Sequence, residues 1–245
     1  MNAATGFAAL AVALALAAGP ARADEAAVRR LIEANIGNQA RIESIRRLPG
    51  SALFEVAIRG AKGPQLFYVD EQARIIVVGQ VIDGRSGRNL TEERLRKLNA
   101  IDWSTLPFAD AITTRRGSGQ RKIAVFSDPF CPYCKRFEAD LARLDDITVH
   151  IFLYPVIREE SMSVTKSVWC SADRSKAWND LMLRGVMPTA KPDCETPVEK
   201  LLVLGRGLGA TSTPTWFVES GERFTGALPL AEIRRVLDAA TAAKR

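Results

Sequence analysis

The chain has 245 residues, of which 47% are hydrophobic and 25% charged, with a formal net charge of +6 at pH 7. That length suits two domains better than one small one, and the apolar share excludes a disordered composition. The basic residues fall in scattered pairs (Arg29-Arg30, Arg46-Arg47, Arg115-Arg116, Arg234-Arg235), interleaved with acids and without an aromatic stripe, so they read as solvated faces and no nucleic-acid partner is expected.

Residues 1–23 read as a signal peptide. Phe7 to Ala18 is an apolar run too short to span a bilayer reliably. Gly19-Pro20 breaks it, and Ala21-Arg22-Ala23 supplies a small-x-small pattern ahead of Asp24-Glu25, although Met1 to Gly6 carries no Lys or Arg. The expectation is cleavage after Ala23 and an exported mature chain.

Residues 24–86 predict a small α+β unit, a helix over Glu25 to Ile36 followed by alternating runs at Ala40–Leu48, Leu53–Ile58, Gln65–Val69 and Arg74–Val78. Turns are marked by Pro49-Gly50, Gly60 to Pro64 and Asp70-Glu71. The unit has no cysteine, histidine or catalytic cluster, which points to pairing with a second copy through a strand edge or apolar face. Residues 87–111 read as a helical linker. Asn89 is spaced as an N-cap for Glu92, and Thr91 to Asn99 offers Glu92/Arg96 and Glu93/Lys97 pairs at i,i+4. A solvent-exposed connector is expected, with Leu95 and Leu98 as a narrow docking stripe.

Residues 112–245 predict an α/β domain. Strand Lys122–Ser127, a helix through Lys135–Leu144 and strand Ile147–Tyr154 form a βαβ unit. Helices follow at Ser161–Cys170, Asp173–Leu183 and Pro197–Leu208, then strands Thr215–Glu219 and Arg223–Thr225, and a last helix Pro229–Ala240. Strand–helix alternation that ends in a hairpin and a helix spells a thioredoxin-like fold.

The chemistry concentrates in Cys131-Pro132-Tyr133-Cys134, between a strand and a helix. Two thiols three apart at a helix start can close a small disulfide, and the first faces unpaired N–H groups that favour a thiolate. Pro132 suits the first helical position, where no intrahelical N–H is needed. Cys131 is thus the expected attacking sulfur and Cys134 the resolving one, with Pro132 and Tyr133 between them tuning the pair without charge. The rival reading of Cys-x-x-Cys is half a zinc site, which needs four ligands. Cys170, Cys194 and the lone His150 form no second close pair, and His150 lies in a strand-like run. A redox dithiol without metal or cofactor is therefore expected. In an oxidising compartment Cys170 and Cys194 are expected to form a structural disulfide, the rival reading being two buried free thiols. Thr213-Pro214 precedes a strand. Together with the upstream dithiol it predicts a cis bond that turns the Thr213 backbone toward the cysteines for substrate-backbone binding.

Ser127-Asp-Pro-Phe-Cys-Pro-Tyr-Cys-Lys-Arg-Phe137, Val168-Trp-Cys-Ser-Ala-Asp-Arg-Ser-Lys-Ala-Trp178 and Ser212-Thr-Pro-Thr215 resemble the DsbC/DsbG family of periplasmic thiol:disulfide interchange proteins. So do Phe67-Tyr-Val-Asp70, Gly79-Gln-Val-Ile-Asp83 and Asn89-Leu-Thr-Glu-Glu-Arg-Leu95, so the likeness covers essentially the whole mature chain. It implies a cystatin-like N-terminal dimerisation domain, a V-shaped homodimer and catalytic domains facing a shared cleft. The implied substrates are unfolded or misoxidised exported proteins, and a membrane thiol reductase of the DsbD type would keep Cys131 and Cys134 reduced. Pro132-Tyr133 is similar to DsbG, whereas Cys170/Cys194 is similar to the structural disulfide of DsbC, and Lys135 stands where a His can occur. The expected activity is isomerisation or reduction of non-native disulfides. Reduction of sulfenylated cysteines and holding of unfolded exported chains are the alternatives.

Overall fold

The computed structural model describes residues 24–36, 40–61 and 63–242, so the expected leader and its cleavage site lie outside the described residues. The chain divides into two compact units, one ending at Ile82 and the other beginning at Asp83.

In the first unit, Asp24 Oδ1 accepts the Ala27 N–H at 2.8 Å and starts helix α1 (Glu25–Ile36). Val28 and Ile32, four apart, form its buried stripe. Strands β1 (Arg41–Arg47), β2 (Leu53–Gly60), β3 (Gly63–Asp70) and β4 (Ile76–Val77) make an antiparallel meander in that order. Phe54, Val56 and Ile58 alternate along β2 and join Val28, Ile32, Ile45 and Val69 in one core. Glu55, on the opposite face of β2, is buried and takes a bidentate pair from Arg46 at 2.7 and 2.8 Å.

In the second unit, strands β5 (Ile112–Arg116), β6 (Arg121–Ser127), β7 (Ile147–Leu153), β8 (Thr215–Val218) and β9 (Arg223–Thr225) form a sheet of order β5-β7-β6-β8-β9. Only β6 and β7 run parallel, with helix α3 (Pro132–Ala142) as their crossover. Helices α4 (Glu160–Cys170), α5 (Arg174–Arg184) and α6 (Val198–Gly207) are inserted between β7 and β8, and α7 (Leu230–Ala242) closes the chain. Helix α5 packs on α3 and α4, α6 on β7, and α7 on β6 and β8. The core is dominated by the all-apolar stretch of β6, by Phe137 and Leu141 of α3, and by Phe152, Trp178, Trp216 and Phe217. This is the thioredoxin-like arrangement expected from the strand–helix pattern.

Two features differ from expectation. Strand β5 has no clear signal in the sequence, because only Ile112 of Ile-Thr-Thr-Arg-Arg is buried, and it pairs antiparallel with β7 as the sheet edge. Helix α2 (Leu90–Leu98), in the predicted linker, is half-buried rather than a free connector. Asn89 caps it through the Glu92 N–H at 3.0 Å, and Glu92 pairs with Arg96 at 2.6 Å as expected. Glu93, however, forks onto Arg88 rather than onto Lys97. The Arg96 guanidinium lies 5.1 Å from the centre of the Phe224 ring, so a charged residue packs against the sheet. The segment after α2 is joined to the β8–β9 turn through Ile101 N–H to Gly221 O at 3.0 Å. A Cβ on Gly221 (φ +82) would sit 1.9 Å from Ile101 O, so only glycine fits there.

Candidate active site

The all-apolar run of β6 ends at Ser127, and the next residue fixes the loop that carries the dithiol. Asp128 is fully buried. Its Oδ1 accepts the Phe130 N–H at 2.7 Å and the Ser161 hydroxyl at 3.1 Å, and its Oδ2 accepts the N–H groups of Val156 and Ile157 at 2.7 and 2.9 Å. One carboxylate thus ties the turn before Cys131 to the segment joining β7 and α4. Cys131 is the N-cap of α3 with extended backbone (φ −74, ψ 117), Pro132 follows at the first helical position, and Sγ accepts the Cys134 N–H at 3.4 Å.

The second part of the site arrives from the β8 side. The Thr213–Pro214 bond is cis, and Thr213 O accepts from Cys131 Sγ at 3.3 Å. The structure therefore brings together Cys131, Cys134, Pro132, Thr213 and Pro214 from two distant stretches of chain. Both thiols are free and buried, Cys131 with 2% of its surface exposed. Tyr133 is 62% exposed and stands at the rim. Nearby in the chain fold, Val156 and Ile157 are also exposed, and the Arg158 guanidinium stacks 3.4 Å from the centre of the Phe130 ring.

The electrostatics separate the titratable groups. Burial pushes the Cys134 thiol up to about 12, against the opposing pull of the Ser127 hydroxyl and the Asp128 N–H. Glu138, one turn further along α3, is pushed up to about 7 by burial, while the bond from Trp178 Nε1 (3.2 Å) and the charge of Arg116 pull it down. His150 stands in β7, where its Nδ1 meets the Thr113 hydroxyl at 2.9 Å and its ring packs against Phe108. Burial, then Lys122, pushes it down to about 4, so it is a neutral strand residue at pH 7.

Cys170 and Cys194 form a disulfide with a Cα–Cα distance of 5.7 Å, joining the end of α4 to the loop ahead of α6. Closing a loop of that length stabilises a fold by about 3 kcal/mol on the chain-entropy view. Among the described residues no group of three or more His, Cys, Asp or Glu could hold a metal ion, and no helix is long and apolar enough to cross a membrane. Sequence reasoning did not single out Ser127, Asp128 or Glu138. An Asp before Pro reads as a turn residue, and a Glu flanked by Phe137 and Ala139 reads as a helix surface. Only the heptad-like spacing of Cys134, Phe137, Glu138 and Leu141 on one buried face could have flagged Glu138.

Comparison with known proteins agrees with this geometry. The family described as "Thioredoxin-like domain" matches residues 108–241, and that described as "Disulfide bond isomerase protein N-terminal domain" matches residues 19–92. A protein of Bordetella parapertussis named "Probable thiol:disulfide interchange protein DsbC" is 40% identical over 192 residues, covering 78% of this chain and 67% of its own. The Escherichia coli K12 "Thiol:disulfide interchange protein DsbC" is 26% identical over 233 residues, 92% of each chain. Among solved structures, a disulfide interchange protein from Neisseria gonorrhoeae superposes with a TM-score of 0.54 at 33% identity, over 56% of this chain and 99% of that one.

Proposed function

Because the chain belongs to the DsbC family of thiol:disulfide interchange proteins, we propose that it isomerises or reduces non-native disulfides in exported proteins, with Cys131 attacking and Cys134 resolving. The observation that carries this reading is the seat of the Cys131 sulfur. It sits at the N-terminus of α3, takes the Cys134 N–H, and contacts the backbone oxygen of Thr213 beside a cis proline. The thiolate is the state of a cysteine that attacks a disulfide.

The chemistry needs no group beyond thiols. Cys131 thiolate attacks one sulfur of a substrate disulfide, a bond forms between them, and the other substrate sulfur leaves as a thiolate. If a second substrate thiol then attacks the mixed disulfide, the substrate departs rearranged and Cys131 is regenerated. If Cys134 attacks instead, the substrate departs reduced and the Cys131–Cys134 disulfide remains. Net isomerisation therefore requires the pair to be reduced at the outset, which in an exported protein calls for a membrane thiol reductase of the DsbD type. Thr213 and Pro214 would hold an extended substrate backbone beside the attacking sulfur. The Cys170–Cys194 disulfide is in keeping with a periplasmic protein.

We assign the first unit, together with the signal peptide and linker boundaries read from the sequence (1–23, 24–86, 87–111, 112–245), to targeting, dimerisation, connection and catalysis in that order. Homodimerisation through the first unit is supported by exposed apolar residues in and beside its edge strand β4, Ile75, Val77 and Val78, with Ile82 exposed further along the chain.

The test is refolding of scrambled ribonuclease with the full mature chain. Cys131→Ser is expected to abolish activity. Cys134→Ser is expected to accumulate a mixed disulfide with the substrate, visible on a non-reducing gel. Equal activity of the two variants would overturn the assigned roles.

A further inference from the structure

Ser127 is the last residue of β6 and has no exposed surface. Its backbone is occupied, since its carbonyl accepts the Tyr154 N–H at 2.9 Å and it pairs with Leu153 in the β6–β7 ladder. Its hydroxyl is different: Oγ is buried and has no aligned hydrogen-bond partner. Burying a hydroxyl without a partner costs about 1–3 kcal/mol, so this group calls for an explanation. The Ser127 hydroxyl lies close enough to the Cys134 sulfur to favour its anionic form. A neutral thiol is a weak acceptor, whereas a thiolate is a strong one.

The other groups around Cys134 do not already fill this role. The Asp128 N–H also addresses the sulfur, but it is a fixed backbone donor. The Asp128 carboxylate is consumed by its four bonds to Phe130, Val156, Ile157 and Ser161. Glu138, one turn along α3, is committed to Trp178 Nε1, and it is not among the groups acting on the Cys134 sulfur. The first sulfur faces elsewhere, with the Cys134 N–H and Thr213 O as its partners.

We propose that the Ser127 hydroxyl is a catalytic hydrogen-bond donor reserved for the Cys134 sulfur, unpaired in the dithiol and engaged when that sulfur becomes anionic in the resolving step. In that step Cys134 loses its proton and attacks the Cys131 sulfur of the mixed disulfide. The Cys131–Cys134 bond forms, the Cys131–substrate bond breaks, and the departing substrate thiolate takes up a proton. The two protein cysteines are oxidised and the substrate disulfide is reduced. Ser127 contributes a hydrogen bond to charge that appears only along this path, in a site already stripped of water, and it transfers no proton. The inference rests on the roles given above to Cys131 and Cys134. It also predicts a bias, because a donor that serves only Cys134 favours release of reduced substrate over a long-lived mixed disulfide.

The experiment mixes the reduced mature chain with dithiobis(nitrobenzoate) in a stopped-flow instrument. The first thionitrobenzoate is released when Cys131 attacks the reagent, and the second when Cys134 displaces the adduct. In Ser127→Ala the first release should stay within about twofold of the wild-type rate, and the second should slow about ten- to a hundredfold, the worth of one hydrogen bond to a charged group. The pH profile of the second release should shift to higher pH, and Ser127→Thr, which keeps a hydroxyl, should restore both. Should the alanine variant fail to fold, the isosteric pair Ser127→Thr and Ser127→Val carries the same comparison. A second release that is unchanged in Ala or Val, a parallel slowing of both releases, or a Thr variant as slow as Ala would overturn the role of Ser127. A wild-type chain that shows no fast first release would instead overturn the reading of Cys131.

Discussion

Glu138 shows how a single side chain carries the tension between burial and charge on the helix that bears the dithiol. The residue is only 8% exposed, its carboxyl accepts from Trp178 Nε1 and feels Arg116, yet burial outweighs both and pushes it up to about 7. The folded chain therefore holds a proton at this site that the unfolded chain, near the ordinary carboxylate value, gives up. The contribution to stability is complete below the unfolded value, falls across the window from about pH 4.5 to 7, and is a net cost above it. Glu138→Gln keeps an acceptor for Trp178 and cannot ionise. Urea unfolding should show the variant near wild type at pH 5 and more stable at pH 8.5, by up to about 3 kcal/mol at roughly 1.4 kcal/mol per unit. A stability difference that does not change between those two pH values would mean that Glu138 is neutral throughout, or that its charge is fully compensated by Arg116 and Trp178.

At the scale of elements, the site is a junction of β6, α3 and the segment between β7 and α4, and Asp128 is its fastener. Removing that carboxylate leaves the N–H groups of Phe130, Val156 and Ile157 without their acceptor at a part-buried junction. Asp128→Ala should lower stability by about 3 kcal/mol or more in urea unfolding. It should also slow the first thionitrobenzoate release, because the residue before Cys131 loses its anchor. Asp128→Asn, which keeps one side-chain oxygen, should fall between the two. A large stability loss with Cys131 reactivity unaltered would separate the fastener from the chemistry. The dithiol itself was legible because its signals are local: an apolar run, two cysteines at helix spacing, and a proline at the position where a helix tolerates one. Thr213-Pro214 was legible only in conjunction with them. Asp128 was not, because its partners lie up to 33 residues away and an isolated Asp-Pro gives no hint of them. Strand β5 escaped for a related reason: an edge strand with one buried side chain has little amphipathic signature. Helix α2 looked more exposed than it is because Arg96 buries itself by stacking on Phe224, a packing mode that hydropathy does not register.

At the scale of the whole molecule, isomerisation asks for more than a reactive sulfur, since a substrate with several wrong bonds must be retained between exchanges. Each copy carries one dithiol in its second unit, and that unit has its own core. Joining two copies would turn a second encounter with the same substrate into an intramolecular event at a much higher effective concentration. The first unit offers the means. Its β4 strand is two residues long at the edge of the sheet, and Ile75, Val77, Val78 and Ile82 expose between 44% and 75% of their surfaces. Scattered exposed apolar residues are ordinary, but four within eight positions in and after an edge strand suit a surface covered by a second copy. Charge placed there should abolish pairing without reaching the first unit's core, because neither Val77 nor Val78 belongs to it. Val77→Lys combined with Val78→Lys is expected to sediment as a monomer where the wild-type chain sediments as a dimer. Release of the first thionitrobenzoate should remain within about twofold, since the β6–α3 turn is untouched, while refolding of scrambled ribonuclease should fall about tenfold or more. A variant that still sediments as a dimer would move the interface away from this edge. A monomer that refolds ribonuclease as fast as wild type would show that one dithiol suffices and that pairing serves some other purpose.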